Sequence, residues 1–281
     1  MIHLRLPCVA RLLQIVAASV TLAIMCPTAS AVTRVYLIGG QSNAEGTGVC
    51  AKLTPPLSKP QRDVRYWNDG WVSLKPGFGH NFKYGDVDPK QFGPEVSFGR
   101  AMADALSGDN IYLIKHGVNG ANLAVQYAAP GSKGYIDFRK KVKAALAILD
   151  DAKIDYEISG MLWMQGESDA SKAKQAAAYE ANLTNLIATV RKDFETPKMP
   201  FVLGRIRPHF DTRPRGGNAI VRAAQKTVAD KDDNVYWFDT DTLQLAYAGH
   251  YGTQGQIDLG KLFAEKSLKA IAKDAKKKKH R

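Results

Sequence analysis

Cysteine is scarce in this chain of 281 residues, which carries three, Cys8, Cys26 and Cys50. Two of them fall in an N-terminal segment that reads as removable, so Cys50 would stand alone and no intramolecular disulfide could form. Nothing near Cys50 suggests a histidine partner for a catalytic thiol, and a buried structural cysteine is expected. The sequence also lacks an internal repeat, a glycine-rich phosphate-binding loop and a dinucleotide fingerprint. No cofactor or metal is expected on this reading. The leading apolar run, Leu12 to Met25, is short for a bilayer span and is interrupted by Gln14. Arg5 and Arg11 precede or open it, and Ala29-Ser30-Ala31 supplies small residues at cleavage spacing. Residues 1–31 therefore read as a secretory signal, which implies a secreted or periplasmic protein with no stable membrane insertion after cleavage. A lipidated Cys26 is disfavoured because Met25 is larger than the small residue usual before such a cysteine.

What is present suits one catalytic domain, residues 32–275. Hydrophobic residues make up 45% of the chain, enough to bury a sizeable core. The formal charge of +12 overstates the body's basicity. Losing Arg5 and Arg11 leaves +10, and Lys276, Lys277, Lys278, Lys279 and Arg281 hold five of those charges. That run, 276–281, reads as a solvated, disordered tail. The remaining +5 gives no reason to expect a nucleic-acid partner, though it permits attraction to anionic polysaccharide or membrane surfaces. Oligomeric state is not legible.

Five short apolar strands alternate with helical patterns. Val35–Gly40 is the first, followed after a long irregular stretch by Asn110–Ile114, Ile158–Met164, Phe201–Gly204 and Asn234–Phe238. Helices are expected from Gly93-Pro94-Glu95, over Arg139–Asp150, Ala170–Phe194 and Asn218–Asp230, and over Gln256–Lys273. Such alternation gives an α/β fold with a five-stranded parallel sheet and helices on both faces. The stretch from about Gly48 to Phe92 shows no sustained periodicity, and its Trp67, Trp71, Phe78, His80, Phe82 and Tyr84 suit either a sugar-binding surface or local packing. The sequon at Asn182 falls inside a predicted helix and carries little weight.

The first strand ends in Gly39-Gly40-Gln41-Ser42-Asn43, which sets a hydroxyl at the carboxyl end of a buried strand, where open α/β sheets place their chemistry. A serine nucleophile needs a base, an acid to orient it and oxyanion donors. Among the six histidines, His250 is best placed, between the last strand and the closing helix. Glu167, at the end of the Trp163-Met164-Gln165-Gly166-Glu167 strand, is the favoured acid, with Asp239 and Asp241 as competitors. The Ser42 and Gly120 backbone amides and the Gln165 side chain are candidate oxyanion donors. Gln41, Asn43 and Asn119 are candidate substrate-binding side chains.

Taken together, Gly40-Gln41-Ser42-Asn43, Asn119-Gly120-Ala121-Asn122-Leu123, Trp163 through Asp169, and His250-Tyr251 with Gly255-Gln256-Ile257 resemble the SGNH hydrolase superfamily. The nearest likeness is to its sialate O-acetylesterase-like branch, carbohydrate esterase family 6, which includes acetylxylan esterases. The resemblance spans nearly the whole chain after residue 31. It implies a flavodoxin-like three-layer α/β/α fold and metal-independent deacetylation of acetylated carbohydrate, with Ser42 as nucleophile, His250 as base, and Gly120 and Gln165 assisting the oxyanion. Two departures stand out. Many relatives carry an aspartate two or three positions before the histidine, where this chain has Tyr247 and Ala248, and Asn119 and Ala121 flank Gly120 where Gly-Gly-Thr is usual. The expected activity is serine carbohydrate O-acetylesterase. The competing readings are a general short-chain esterase or thioesterase, and a non-catalytic carbohydrate-binding module on a hydrolase fold.

Overall fold

The computed structural model describes residues 31–80, 87–208 and 216–279. Strands β1 (Thr33–Gly40), β2 (Gln61–Trp67), β3 (Trp71–Leu74), β4 (Asn110–Gly117), β5 (Tyr156–Met164), β6 (Phe201–Arg205) and β7 (Val235–Asp239) form one sheet. Its order is β7-β6-β5-β1-β4-β2-β3. Every neighbouring pair is parallel except β2 with β3. The central strand β1 buries Val35, Tyr36, Leu37 and Ile38 almost completely. Such a strand reads as an unbroken apolar run because helices cover both of its faces. Burying Val35, Leu37 and Ile38 contributes about 1.5–3 kcal/mol each.

The α/β class and the five predicted strands are present, and the sheet gains two more. Both come from the stretch that showed no periodicity. In β2, Val64 and Tyr66 alternate with charged residues. It joins β3 through an Asn68-Asp69-Gly70 turn in which Asp69 takes φ 53°. Helices α2 (Glu95–Ala105) and α7 (Thr253–Lys279) pack on each other, as do α5 (Ala173–Asp193) and α6 (Gly217–Lys231). Helix α3 (Lys133–Asp151) meets the residue that follows α5 through Phe138 against Phe194. It starts at Lys133, earlier than the apolar pattern indicated, because Ser132 caps it by accepting from Tyr135 N.

The helix predicted over Ala170–Phe194 is present as α5, which starts three residues later, after the one-turn α4 (Glu167–Ala170). One expectation is corrected. The run Lys276–Lys279, expected to be disordered, continues α7. Lysine is a good helix former, and cations near a helix C-terminus are favoured by its dipole. Among the described residues no helix is long and apolar enough to cross a membrane. The segment 1–30, and residues 280 and 281, lie outside the described residues.

Because the chain builds first to one side of β1 and then to the other, β1 lies between β4 and β5 at a reversal of strand order. The crevice outside the carboxyl ends of such strands is where open α/β sheets bind ligands.

Candidate active site

Strand β1 ends at Gly40 with φ 138°, and a Cβ there would stand 2.1 Å from the Met164 carbonyl oxygen of β5. Only glycine lets the two strand ends approach so closely. The chain turns at once, with Gln41 N donating to Met164 O at 3.0 Å. The one-turn helix α1 (Ser42–Glu45) follows, with Ser42 as its first residue. The first amides of a helix have no intrahelical acceptor, and among the described residues neither the Ser42 nor the Gly120 N–H donates to another group.

Ser42 Oγ lies 2.9 Å from His250 Nε2, although 208 positions separate the two. His250 is carried on a small ribbon in which β8 (Leu245–Tyr247) pairs antiparallel with β9 (His250–Tyr251). The ribbon turns through Ala248 and Gly249, both at positive φ. Ser42 is 2% exposed and His250 half-buried, which leaves a protected hydroxyl and an imidazole open on one side. The half-exposed ring of Tyr247 stands 5.2 Å from the imidazole, centre to centre.

Around this pair the side chains predicted for the site divide sharply. Asn43, expected to bind substrate, is buried and fully engaged internally. Its Nδ2 donates to Glu167 Oε1 at 2.9 Å and to Gly249 O at 3.2 Å, and its Oδ1 accepts from Tyr251 N at 3.1 Å. It therefore grips the residues on either side of His250. Gln41 is likewise buried, its Oε1 accepting from Gly166 N and Ser168 N. Asn119 and Gly120 are exposed at the end of β4.

The Gln165 side chain, a candidate oxyanion donor, is bonded into the scaffold in this structure. It is fully buried, and its Nε2 is committed to Ala121 O at 3.0 Å and Asp169 Oδ2 at 2.6 Å. Its Oε1 accepts from Tyr179 at 3.0 Å. Asp169, absent from the predicted set, also receives Leu123 N and Ala124 N, at 2.7 and 3.1 Å. Ser168 Oγ donates to Gly120 O at 2.9 Å. Gln165, Ser168 and Asp169 thus clamp the Gly120 turn to the end of β5, and through Gln41 that turn is tied to the residue beside Ser42. Gln165 and Asp169 lie only four positions apart in the chain, close enough for their pairing to be anticipated.

None of the three candidate acids bonds to His250. Glu167 is 6% exposed, and its Oε1 bonds Asn43, whereas Oε2 has no hydrogen-bond partner among the described residues. Burial raises its pKa. Asp239 is paired with Arg205, and Asp241 takes both arms of Arg222 at 2.7 and 2.9 Å. Glu167 reaches the histidine through Asn43 and the backbone, not through the ring.

Beneath α1, Lys115 of β4 is 5% exposed and pairs with the fully buried Glu95 at 2.8 Å. Its ammonium also donates to Glu45 O, at the end of α1, and to Phe78 O, both at 2.7 Å. A cation here complements the negative end of that short helix. His116 sits beside Tyr127 and Phe138, and burial pushes its pKa down to about 4. Within the aromatic stretch, Trp67 and Phe78 join the core and Trp71 donates to Ala145 O at 3.1 Å. The side chain of His80, with Phe82, Tyr84 and His209, lies outside the described residues. Cys50 is half-buried and its thiol is pushed up to about 11, so it is no thiolate at neutral pH. Among the described residues no group of three or more His, Cys, Asp or Glu side chains is arranged to hold a metal ion.

A mostly parallel sheet flanked by helices, with a serine and a histidine meeting at the carboxyl edge beside a glycine turn, has the arrangement that serine hydrolase chemistry requires. Comparison with known proteins narrows the class. The family described as carbohydrate esterase, sialic acid-specific acetylesterase, matches residues 32–269. The chain belongs to that family, and its activity class is carbohydrate O-acetylesterase. A probable carbohydrate esterase of Arabidopsis thaliana is 25% identical over 250 residues, covering 84% of this chain and 90% of the relative. Its crystal structure superposes with a TM-score of 0.70, covering 84% of this chain and 98% of that one. NanS shares the fold at 13% identity and a TM-score of 0.65, over 87% of this chain and 99% of its own. A carbohydrate acetylesterase from Xanthomonas citri does so at 16% and 0.56, over 82% and 54%.

Proposed function

We propose that the chain deacetylates carbohydrate through an acetyl-enzyme formed on Ser42, with His250 as general base and then general acid. The observation that carries this reading is the 2.9 Å approach of Ser42 Oγ to His250 Nε2. With the ring proton on Nδ1, Nε2 accepts from the serine hydroxyl. As Oγ attacks the acetyl carbonyl, its proton passes to Nε2. The backbone N–H groups of Ser42 and Gly120 stabilise the oxyanion, fixed in place before reaction as such donors must be. Collapse of the tetrahedral state expels the sugar oxygen, which takes the proton from His250. Water then attacks the acetyl group, gives its proton to His250 and releases acetate, and the proton returns to Ser42.

Glu167 and Asn43 are positioning residues that hold the ribbon carrying His250. Tyr247 forms one wall beside the imidazole, a flat face suited to a sugar ring. An exported enzyme, secreted or periplasmic, fits the charged and apolar pattern of residues 1–31. Acetate release from a panel of acetylated glycans and from a soluble aryl acetate tests the proposal. Wild type is expected to release acetate and Ser42→Ala to release none while melting at the same temperature. Turnover that survives Ser42→Ala overturns the assignment.

A further inference from the structure

A second feature lies at the opposite edge of the sheet. An open cleft of about 950 Å³ is lined by Lys198, Lys269, Lys273, Lys276, Lys277 and Lys278 against Asp233 and Asp274, an excess of four positive charges. Lys198 precedes β6 and Asp233 precedes β7, so the cleft opens at the amino ends of strands whose carboxyl ends face the reactive edge. Lys269, Lys273 and Lys277 are spaced by four and share one face of α7. Sixteen residues of that helix separate Lys269 from Thr253, a rise of about 24 Å. The cleft therefore cannot hold the sugar that reacts at Ser42.

Like charges on one helix face repel, and the cleft gathers more of them from the strand edge. Lys273 is tied back to Asp233 O at 2.6 Å. Its ammonium also lies 5.9 Å from the ring centre of the half-exposed Tyr236. Lys276, Lys277 and Lys278 are exposed. A lining with an aromatic face and exposed ammonium groups suits an extended polyanion built of rings, with the charge complementing the lysines and the ring faces meeting Tyr236.

We propose that this cleft binds anionic polysaccharide and anchors the protein to the polymer whose esters it processes. The choice of polysaccharide among polyanions rests on the carbohydrate esterase reading; the binding itself does not, and its assay needs no turnover. The full chain would be titrated with sodium polygalacturonate, with neutral dextran as control, over a series of salt concentrations. In parallel it would be titrated with duplex DNA and with vesicles containing phosphatidylserine. The expected result is polygalacturonate binding that weakens steadily with salt, as it does when a cation cluster displaces counterions from a polyanion. It should exceed binding to the other two probes. The triple variant Lys276→Gln, Lys277→Gln, Lys278→Gln keeps good helix formers and should bind roughly a hundredfold more weakly at low salt. Its aryl acetate turnover and melting temperature should match wild type. Salt-insensitive or absent binding, wild-type affinity in the triple variant, or tighter binding to DNA or vesicles would each overturn the proposal.

Discussion

Replacing Glu167 with glutamine distinguishes two ways in which a carboxylate can support a catalytic histidine. In the structure its side chain accepts a hydrogen bond from Asn43 Nδ2 at Oε1, at 2.9 Å. A glutamine of the same shape keeps that acceptor. The exchange turns a charge-assisted bond into a neutral one, a loss of about 1 kcal/mol. Against this, it removes a buried carboxylate whose pKa burial has raised. The net change in stability should stay within about 1 kcal/mol, or about 2–4 °C in Tm. If Glu167 acts only through Asn43, kcat should fall by no more than about fivefold, the equivalent of that energy, with KM unchanged. A carboxylate bonded directly to the imidazole behaves differently, since amide replacement in a Ser-His-Asp triad costs about 10⁴ in kcat. Asn43→Ala, which releases both Gly249 and Tyr251, should cost about 10² or more in kcat through misplacement of the base. Adding Glu167→Gln to Asn43→Ala should then change little, because the two act in series. Initial rates of acetate release, with thermal melts of all four proteins, provide the data. A loss of a thousandfold or more in Glu167→Gln at unchanged Tm, or near-normal turnover in Asn43→Ala, would refute the scheme.

Three further outcomes are expected. Folding holds His116 neutral with a pKa of about 4 against an ordinary 6.5, so unfolding takes up a proton between those values. Stability is full above pH 6.5 and declines by about 3 kcal/mol as pH falls to 4, and urea titrations should find that decline missing in His116→Phe. Lys115→Met strands the buried Glu95 carboxylate, which should cost about 3–5 kcal/mol. Adding Glu95→Gln should recover part of the lost Tm, and an unchanged Tm in the single variant would contradict the burial argument. Gly40→Ala drives a Cβ to 2.1 Å from Met164 O, and calorimetry should show a loss of at least about 3 kcal/mol.

The sheet's five main strands were legible because each is an apolar run bounded by turn residues. The meeting of Ser42 with His250 was legible because Ser42 ends the first apolar strand and His250 lies between the last one and the closing helix. The β2–β3 hairpin was missed even though Asp69-Gly70 is a strong turn signal, since its strands mix charged and apolar residues. The roles of the amides and carboxylates were less accessible. Position along a strand says which residues gather at an edge, but not which way each side chain points. Gln165 and Asn43 point inward and hold the scaffold, and Glu167 reaches Asn43 instead of the imidazole. The short-range pairing of Gln165 with Asp169 lay within reach of spacing arguments. The grip of Asn43 on Gly249 and Tyr251, across more than 200 positions, did not.

Helix α7 begins two residues after Tyr251 and runs unbroken for 27 residues, about 40 Å, to Lys279. It is a stiff rod joined almost directly to the ribbon that bears the base. An immobilisation tag coupled at its far end would present every molecule to a support in one orientation, with the hydrolytic rim turned outward to the medium. The same tag at a flexible terminus would leave that presentation to chance.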